Sequence, residues 1–467
     1  MKLTVKRNGF SLLTAVLIVL VLLVSACSNS SGNGKTNVNQ TVEGKGDTEK
    51  KGDTEKKGEK KVLKVAFFQG GFGDSWFKEL KTQFEAKHEN VTVELEGDPG
   101  IMEKMGPRFE SGANLPDVAF LTNTNWQMWA ARGFLSDLTD VYEGQGLDGV
   151  TIKESLNDAA RQYALYQDKA YIIPWSDGLL GMAYNKGMFE ENGWKVPSTW
   201  KEFAVLAEQI KAKGIAPIVY PGKVVGYWDF VVKPMMVQAG GSEFLEKLLN
   251  VDSPDVYGDP ARLAALQQFE AIFKNKWTLK GSEALNHTEA QMEFVNGKAA
   301  MIPNGNWLES EMKASTPEGF RMAMMPVPAV DNAKEKDVFF SMVGDITVVP
   351  AKAKEQELAK EFIIFASSKE MNRKFTELTG NFRPFNYSLE GLKVSEFSQS
   401  VMDIMQNNKP FTFNTNNPMF IKMKMYPSGD AYGNIVFGSK TAEQQYNDDL
   451  KFAKDKWEEY KKEVGMK

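Results

Sequence analysis

Short apolar runs and amphipathic stretches alternate along most of this chain. Val62–Phe68 is a run of β-branched and aromatic residues of strand length, and Val91, Val93 and Leu95 alternate with polar neighbours as a half-buried strand does. Between them Phe77, Leu80 and Phe84 recur at helical spacing. A second helix is expected over Ile101–Glu110 and an apolar strand at Val118–Leu121. Strand and helix in strict alternation imply a parallel sheet with helices on its faces. The pattern returns further on. Thr199-Trp200-Lys201-Glu202 reads as a capping box, with Phe203, Leu206 and Ile210 on one face of the helix it opens. Ile215–Tyr220 reads as a strand, and Asp259-Pro260 starts a helix with proline in its first turn. Ala299–Ile302 and Ile346–Val349 are further strands, and Glu355–Leu378 and Ala442–Val464 are helical stretches. No linker-like break interrupts these elements, so interleaved lobes fit better than domains strung in series. The fold class expected is α/β.

The first sixty residues follow another rule. Lys2, Lys6 and Arg7 precede an apolar run from Leu12 to Val24 broken only by Thr14. That run is short for a membrane span, which needs about 20 apolar residues, and fits the core of a secretory signal. It ends in Val24-Ser25-Ala26-Cys27, which resembles the lipobox of bacterial lipoproteins. The resemblance implies a signal peptide over residues 1–26 and lipidation of Cys27, the one cysteine in the chain. A lipid chain anchors without spanning. Residues 27–61 contain GDTEKK twice in tandem and only two aliphatic side chains, Val38 and Val42. Such a segment buries too little to offset its ordering entropy, and it is expected to be a disordered charged tether.

Composition narrows the chemistry. With 42% hydrophobic and 25% charged residues the chain is of globular type. Two histidines and one cysteine leave no multi-histidine or cysteine zinc site, no internal disulfide and little room for a Ser-His-Asp triad. Loss of residues 1–26 would take the formal charge from −5 to −8. An acidic body argues against nucleic acid as a partner.

The loops after strands share a composition. They read Gly70-Gly71-Phe72-Gly73-Asp74-Ser75-Trp76, Thr122-Asn123-Thr124-Asn125-Trp126, Pro174-Trp175-Ser176-Asp177-Gly178, Gly226-Tyr227-Trp228-Asp229 and Asn304-Gly305-Asn306-Trp307. A pyranose presents apolar C–H faces and a hydroxyl rim, so it suits an aromatic face bordered by short polar side chains. Ligands of open parallel sheets sit beyond the carboxyl ends of the strands, where these loops lie. Each residue has a structural alternative. Asp74 can cap its helix, Trp76 and Trp126 can pack its first turn or that of the next helix, Trp175 and Trp307 can close a lobe interface, and Trp228 can face a core. Trp129, Trp194, Trp200, Trp277 and Trp457 sit in helical periodicity or turns and read as structural. GGFGDSW lacks the G-x-G-x-x-G spacing, and the Gly-Lys-Thr at 34–36 lacks the upstream glycine of a phosphate loop.

Taken together, GDSWFKELKTQFEAKHENVTVELEGDP, LPDVAFLTNTNWQMWAARGFLSDLTD, YIIPWSDGLLGMAYNKGMFEENGWKVPSTWKEF and FVNGKAAMIPNGNWLE resemble the family 1 extracellular solute-binding proteins of bacterial ABC sugar importers, over essentially all of residues 62–467. GDSW, EGDP and AKGIAPIVYPGK look most like the N-acetylglucosamine/diacetylchitobiose-binding branch. The resemblance implies a periplasmic-binding-protein-like fold, two interleaved α/β lobes joined by hinge strands around a ligand cleft. It places a first part of lobe 1 at 62–172, a first part of lobe 2 at 173–302, and a remainder at 303–467 shared between them, with crossings near Ile172–Trp175, Ile302–Asn306 and Val327–Val330. It implies a non-enzymatic receptor that captures an oligosaccharide by lobe closure and passes it to ABC permease subunits. The protein is expected to be a monomer, lipid-anchored on the extracytoplasmic face of the cell membrane, with no cofactor and no metal. Trp126, Trp175, Trp228 and Trp307 are the expected stacking platforms, with Trp76 beside them. Asp74, Asn123, Asp177 and Asp345 would accept hydroxyl hydrogens and Arg383 would donate. Asp345 departs from the pattern, since that position is often small in relatives. The alternatives are a cell-surface glycoside hydrolase, which needs two carboxyls across a cleft, and a non-transport adhesive lipoprotein on the same fold.

Overall fold

The computed structural model describes residues 60–122, 125–413, 415 and 417–466. Cys27, the expected signal and nearly all of the expected tether, and Asn123, lie outside them. The strands among the described residues are β1 (Lys61–Phe68), β2 (Val91–Asp98), β3 (Val118–Leu121), β4 (Leu165–Tyr166), β5 (Lys169–Ala170), β6 (Ile173–Asn185), β7 (Ala216–Ile218), β8 (Ala299–Gly305), β9 (Met322–Met325), β10 (Val338–Val348) and β11 (Lys409–Phe411). Nine form one sheet in the order β2-β1-β3-β10-β6-β8-β7, with β9 against β6 and β11 against β10.

The alternation read from the sequence is present. β1 pairs in parallel with β2 and β3, linked by helices Ser75–Lys87 and Ile101–Ser111. These bury Phe77, Leu80 and Phe84, and Ile101, Met105 and Phe109, against the sheet. Gly112 ends the second helix in the left-handed region, φ 68°, which glycine enters without a side-chain clash. The Thr199 capping box forms, with Thr199 accepting from the Glu202 N–H. One expected helix is two. Glu355–Leu378 breaks at Ser367-Ser368 into Gln356–Ala366 and Lys369–Thr379, and Ser368 caps the second piece. Serine competes for backbone hydrogen bonds and favours caps over helix interiors, so the break follows from the pair of serines.

Two strands join the halves of the molecule. β6 and β10 run antiparallel; the Ile346–Val348 end of β10 pairs with β3, while Leu180–Tyr184 of β6 pairs with β8. The ladder between them shifts register on both sides of Asp345, a bulge of the kind that bends a strand and re-aims its side chains. One hydrophobic core draws on residues 63–175 and 343–385, with Trp76, Phe77, Phe120, Trp175 and Phe375 among its members. The other half holds three clusters from residues 179–340 and 382–457. These are the two interleaved α/β lobes. The chain passes between them along β6 just after Trp175 and along β10 near Met342. It also runs along the junction around residues 381–389, where Phe382 and Phe385 lie in different cores. Ile302–Asn306 is not a crossing: it lies in and just after β8, whose partners belong to the second lobe. Val327–Val330 also belongs to that lobe, with Val327 and Val330 in its core and Ala329 bridged to Thr199.

Candidate functional site

Several of the expected site residues pack inside one lobe. Trp76 and Trp175 are each 1% exposed. Their rings stack at 6.0 Å with 5° between planes, ringed by Phe72, Phe77, Phe120 and Phe375. Both indole nitrogens donate to backbone carbonyls, Trp76 to Met371 at 2.9 Å and Trp175 to Leu121 at 3.4 Å. Trp228 lies in the second lobe's core with Tyr220, Phe269 and Phe273, 5.1–5.6 Å away. Two of the anticipated platforms, Trp175 and Trp228, and Trp76 beside them are therefore packed in hydrophobic cores, divided between separate interiors. Periodicity explains this. Trp76 falls on the helix face of Phe77, Leu80 and Phe84, and Trp228 on that of Val231, Val232 and Met235. Trp175 lies in a strand buried on both faces from Ile173 to Ala183.

Two polar residues have similar fates. Arg383 is buried with its guanidinium 4.6 Å from the Trp76 ring and 4.7 Å from Phe385. It donates to the Trp175 carbonyl at 2.8 Å and to that of Ala366, and burial pulls its pKa down to about 9. It ties carbonyls together within the first lobe's rim. Asp74 makes no cap hydrogen bond and pairs with Lys78 at 2.8 Å on the surface.

The remaining residues gather at the junction. Asp345, on the bulge, is 8% exposed and accepts from Ser176 Oγ at 2.5 Å. Asp177, next in β6, is 4% exposed and accepts from Ser341 Oγ at 2.6 Å and Asn157 Nδ2 at 3.0 Å. Burial pushes both carboxyls above the usual carboxylate range. Trp126 is fully buried and meets Tyr163 edge-on at 5.8 Å. Tyr163 in turn lines a cavity of about 270 Å³ together with Leu249, Asn250, Thr412 and Thr415 of the other lobe, and burial raises its phenol to about 12. Trp307 is half-buried, edge-on to Phe230 at 6.0 Å.

Across the junction from Trp307 lies the glycine-rich turn after β1. A Cβ added at Gly71 would sit 2.7 Å from Glu311 Cγ and 3.0 Å from Trp307 Cβ. Only glycine lets this loop of the first lobe approach the second so closely. Glu311 accepts from Gln291 Nε2 at 2.7 Å, and burial raises its pKa. Beside it a larger cavity, about 670 Å³, is walled by Gly71–Gly73 and Thr376–Gly380 on one side and by Glu309, Lys313 and Lys393–Ser398 on the other.

The junction thus offers rings at Tyr163 and Trp307, with Trp126 behind the first, and hydrogen-bond acceptors at Asp345 and Glu311. Uncharged, hydroxyl-rich ligands match that chemistry. Tyr163, Gln291 and Glu311 went unremarked in the sequence because none stands beside a tryptophan at a strand end. Tyr227, the half-exposed neighbour of the buried Trp228, packs against Phe230 at 5.0 Å. No group of three or more potential metal ligands occurs among the described residues.

The chain is similar to known proteins in sequence and in fold. The diacetylchitobiose binding protein NgcE of Streptomyces coelicolor is 25% identical over 308 residues, 65% of each chain, so the match spans just under two thirds of that relative's length. DasA of the same organism, also a diacetylchitobiose binding protein, is 29% identical over 319 residues, 66% of this chain and 69% of its own. In fold the chain is similar to the ABC substrate-binding protein Lmo0181 of Listeria monocytogenes, solved with cycloalternan, at TM-score 0.66 and 19% identity over 88% of this chain and 100% of that one. Residues 72–373 match the family model for bacterial extracellular solute-binding proteins. With two lobes, paired crossing strands and a lined junction already in place, that match makes this chain a member of the bacterial extracellular solute-binding protein family.

Proposed function

We propose that the protein captures an oligosaccharide at the junction of its two lobes and delivers it to the membrane permease of an ABC importer. The observation that carries this reading is the meeting of the lobes at Gly71, Trp307 and Glu311, beside rings and carboxyls contributed by both. A ligand touching both lobes favours the closed arrangement by its differential affinity, and the permease can recognise that arrangement. Relatives named for diacetylchitobiose and multiple sugars support the ligand class. Within the junction, Trp307 and Tyr163 supply ring contacts, with Trp126 packed behind Tyr163, and Asp345 and Glu311 supply polar ones; Asn123 remains a candidate polar contact from the sequence alone. The lobes divide at residues 175–179, 340–343 and 381–389.

Binding without turnover is the expected activity. Isothermal titration with chito-, malto-, xylo- and manno-oligosaccharides should give saturable binding to at least one series, with an aryl glycoside left intact. Failure of all four to bind would overturn the reading. The lipobox-like Val24-Ser25-Ala26-Cys27 supports a lipid anchor at Cys27, on the extracytoplasmic face of the membrane. Palmitate labelling lost in Cys27→Ser, with release of the protein from the membrane fraction, is the expected outcome. Labelling that survives the substitution would contradict it.

A further inference from the structure

Asp177 is hydrogen-bonded to four different segments of the chain. Its Oδ1 accepts from Ser341 Oγ on β10 at 2.6 Å, and its Oδ2 accepts from Asn157 Nδ2 at 3.0 Å. Its backbone N–H donates to the Phe382 carbonyl at 3.1 Å, and its own carbonyl accepts from Asn306 Nδ2 at 3.4 Å. Asn306 Nδ2 also donates to Asn381 Oδ1 at 2.9 Å. Among the described residues, each of the three passages between the lobes therefore comes to this one residue.

The two carboxylate bonds point opposite ways. Ser341 pairs with Leu179 in the part of the sheet that belongs to the second lobe. Asn157 belongs to the first: it caps the helix Asp158–Tyr163, its Oδ1 accepting from the Ala160 N–H at 2.9 Å, between the core residues Leu156 and Ala160. That same helix ends in Tyr163, which faces the second lobe across the small cavity. Because Asn157 Oδ1 is taken by the cap, only its Nδ2 donor is left for Asp177, and the partner must be an acceptor. A carboxylate accepts from both lobes at once.

We infer that Asp177 is a positioning residue for closure rather than a ligand contact: its two oxygens clasp Ser341 and Asn157 and hold the lobes, with Tyr163, in the closed arrangement. The inference rests on the reading of the protein as a lobe-closing sugar receptor.

The test removes the donor and keeps the cap. Asp177→Asn leaves the clasp in place, because the carboxamide can turn its oxygen to Asn157 Nδ2 and its N–H to Ser341 Oγ, which accepts as well as it donates. Asn157→Ser retains a capping oxygen but has no Nδ2 to give Asp177. For whichever oligosaccharide the wild type binds, Asn157→Ser should weaken affinity about tenfold, the loss of one hydrogen bond to a charged group. Its ligand-bound radius of gyration should stay nearer the free value. A lower melting temperature with unchanged affinity and unchanged closure would overturn the inference and leave Asp177 a packing residue. So would an Asp177→Leu variant, which has no acceptor for either partner, that binds and closes as the wild type does. A wild type that binds none of the sugars would instead overturn the underlying reading.

Discussion

Trp175 shows how far a side chain's neighbours outweigh its place in a motif. In sequence it stands at a strand end beside Ser176 and Asp177, as a sugar platform would. In the molecule it stacks on Trp76 with 1% of its surface exposed. Trp175→Ala should therefore lower unfolding free energy by about 3–5 kcal/mol, the usual result of emptying an aromatic site in a core. Urea denaturation measures it; a change under about 1 kcal/mol would mean the ring is not a core element. Trp307→Ala is expected to behave oppositely, weakening sugar affinity roughly tenfold while leaving the denaturation midpoint close to wild type, because its ring is half-buried at the junction. Gly71→Val separates closure from contact chemistry. Its side chain would meet Trp307 Cβ and Glu311 Cγ, so affinity should fall with little change in the stability of either lobe. Titration beside a melting curve reads both. Trp76 and Trp228 were decipherable as core residues from helical spacing alone, since each shares a face with apolar neighbours. Trp175 was not, because a strand buried on both faces carries no alternation to mark its inward side.

At the level of elements, the sequence carried most of the architecture. β1, β2 and β3 with their linking helices appear where the apolar periodicity placed them. What stayed hidden was the partnership of β6 and β10, since 160 residues separate their pairing at Leu180 and Phe340 and no local pattern encodes so distant a register. Of the crossings expected near Ile172–Trp175, Ile302–Asn306 and Val327–Val330, the last two for that reason fall among the second lobe's own strands and core residues. The junction's polar network was hidden for the same reason: Asn157, Ser341 and Asn381 are ordinary residues until the fold brings them to Asp177. The Ser367-Ser368 break is more local and was present in the sequence as a pair of poor helix-interior residues. Ser368→Ala should remove the cap to the Met371 N–H and destabilise the first lobe by about 1 kcal/mol, seen as a lower midpoint in thermal denaturation. No change in midpoint would show that the break is held by packing alone.

For the whole molecule, charge and closure are linked by where the carboxyls lie. Burial raises the pKa of Asp177, Asp345 and Glu311. A carboxyl held above its unfolded value binds its proton more tightly when folded, so these groups reduce stability as pH rises through their raised values and restore it on acidification. Other carboxyls have the opposite sign. Glu396 is held at about 2 by Arg321 and Lys186. Asp137, despite the opposing effect of its burial, is held at about 2 by Lys169 and Thr139. Their contribution is present above the ordinary carboxylate pKa of about 4 and is lost as pH falls toward 2. The melting temperature should thus rise as pH falls through the raised values of these three carboxyls toward about 4, and fall as pH drops further toward about 2. A midpoint that declines steadily on acidification would show that the junction carboxyls do not carry raised values.

The most direct test of capture by closure is small-angle scattering of the protein with and without saturating diacetylchitobiose or whichever oligosaccharide titration shows to bind. Closure on the ligand predicts a smaller radius of gyration in its presence. Tight binding with an unchanged scattering curve would contradict it.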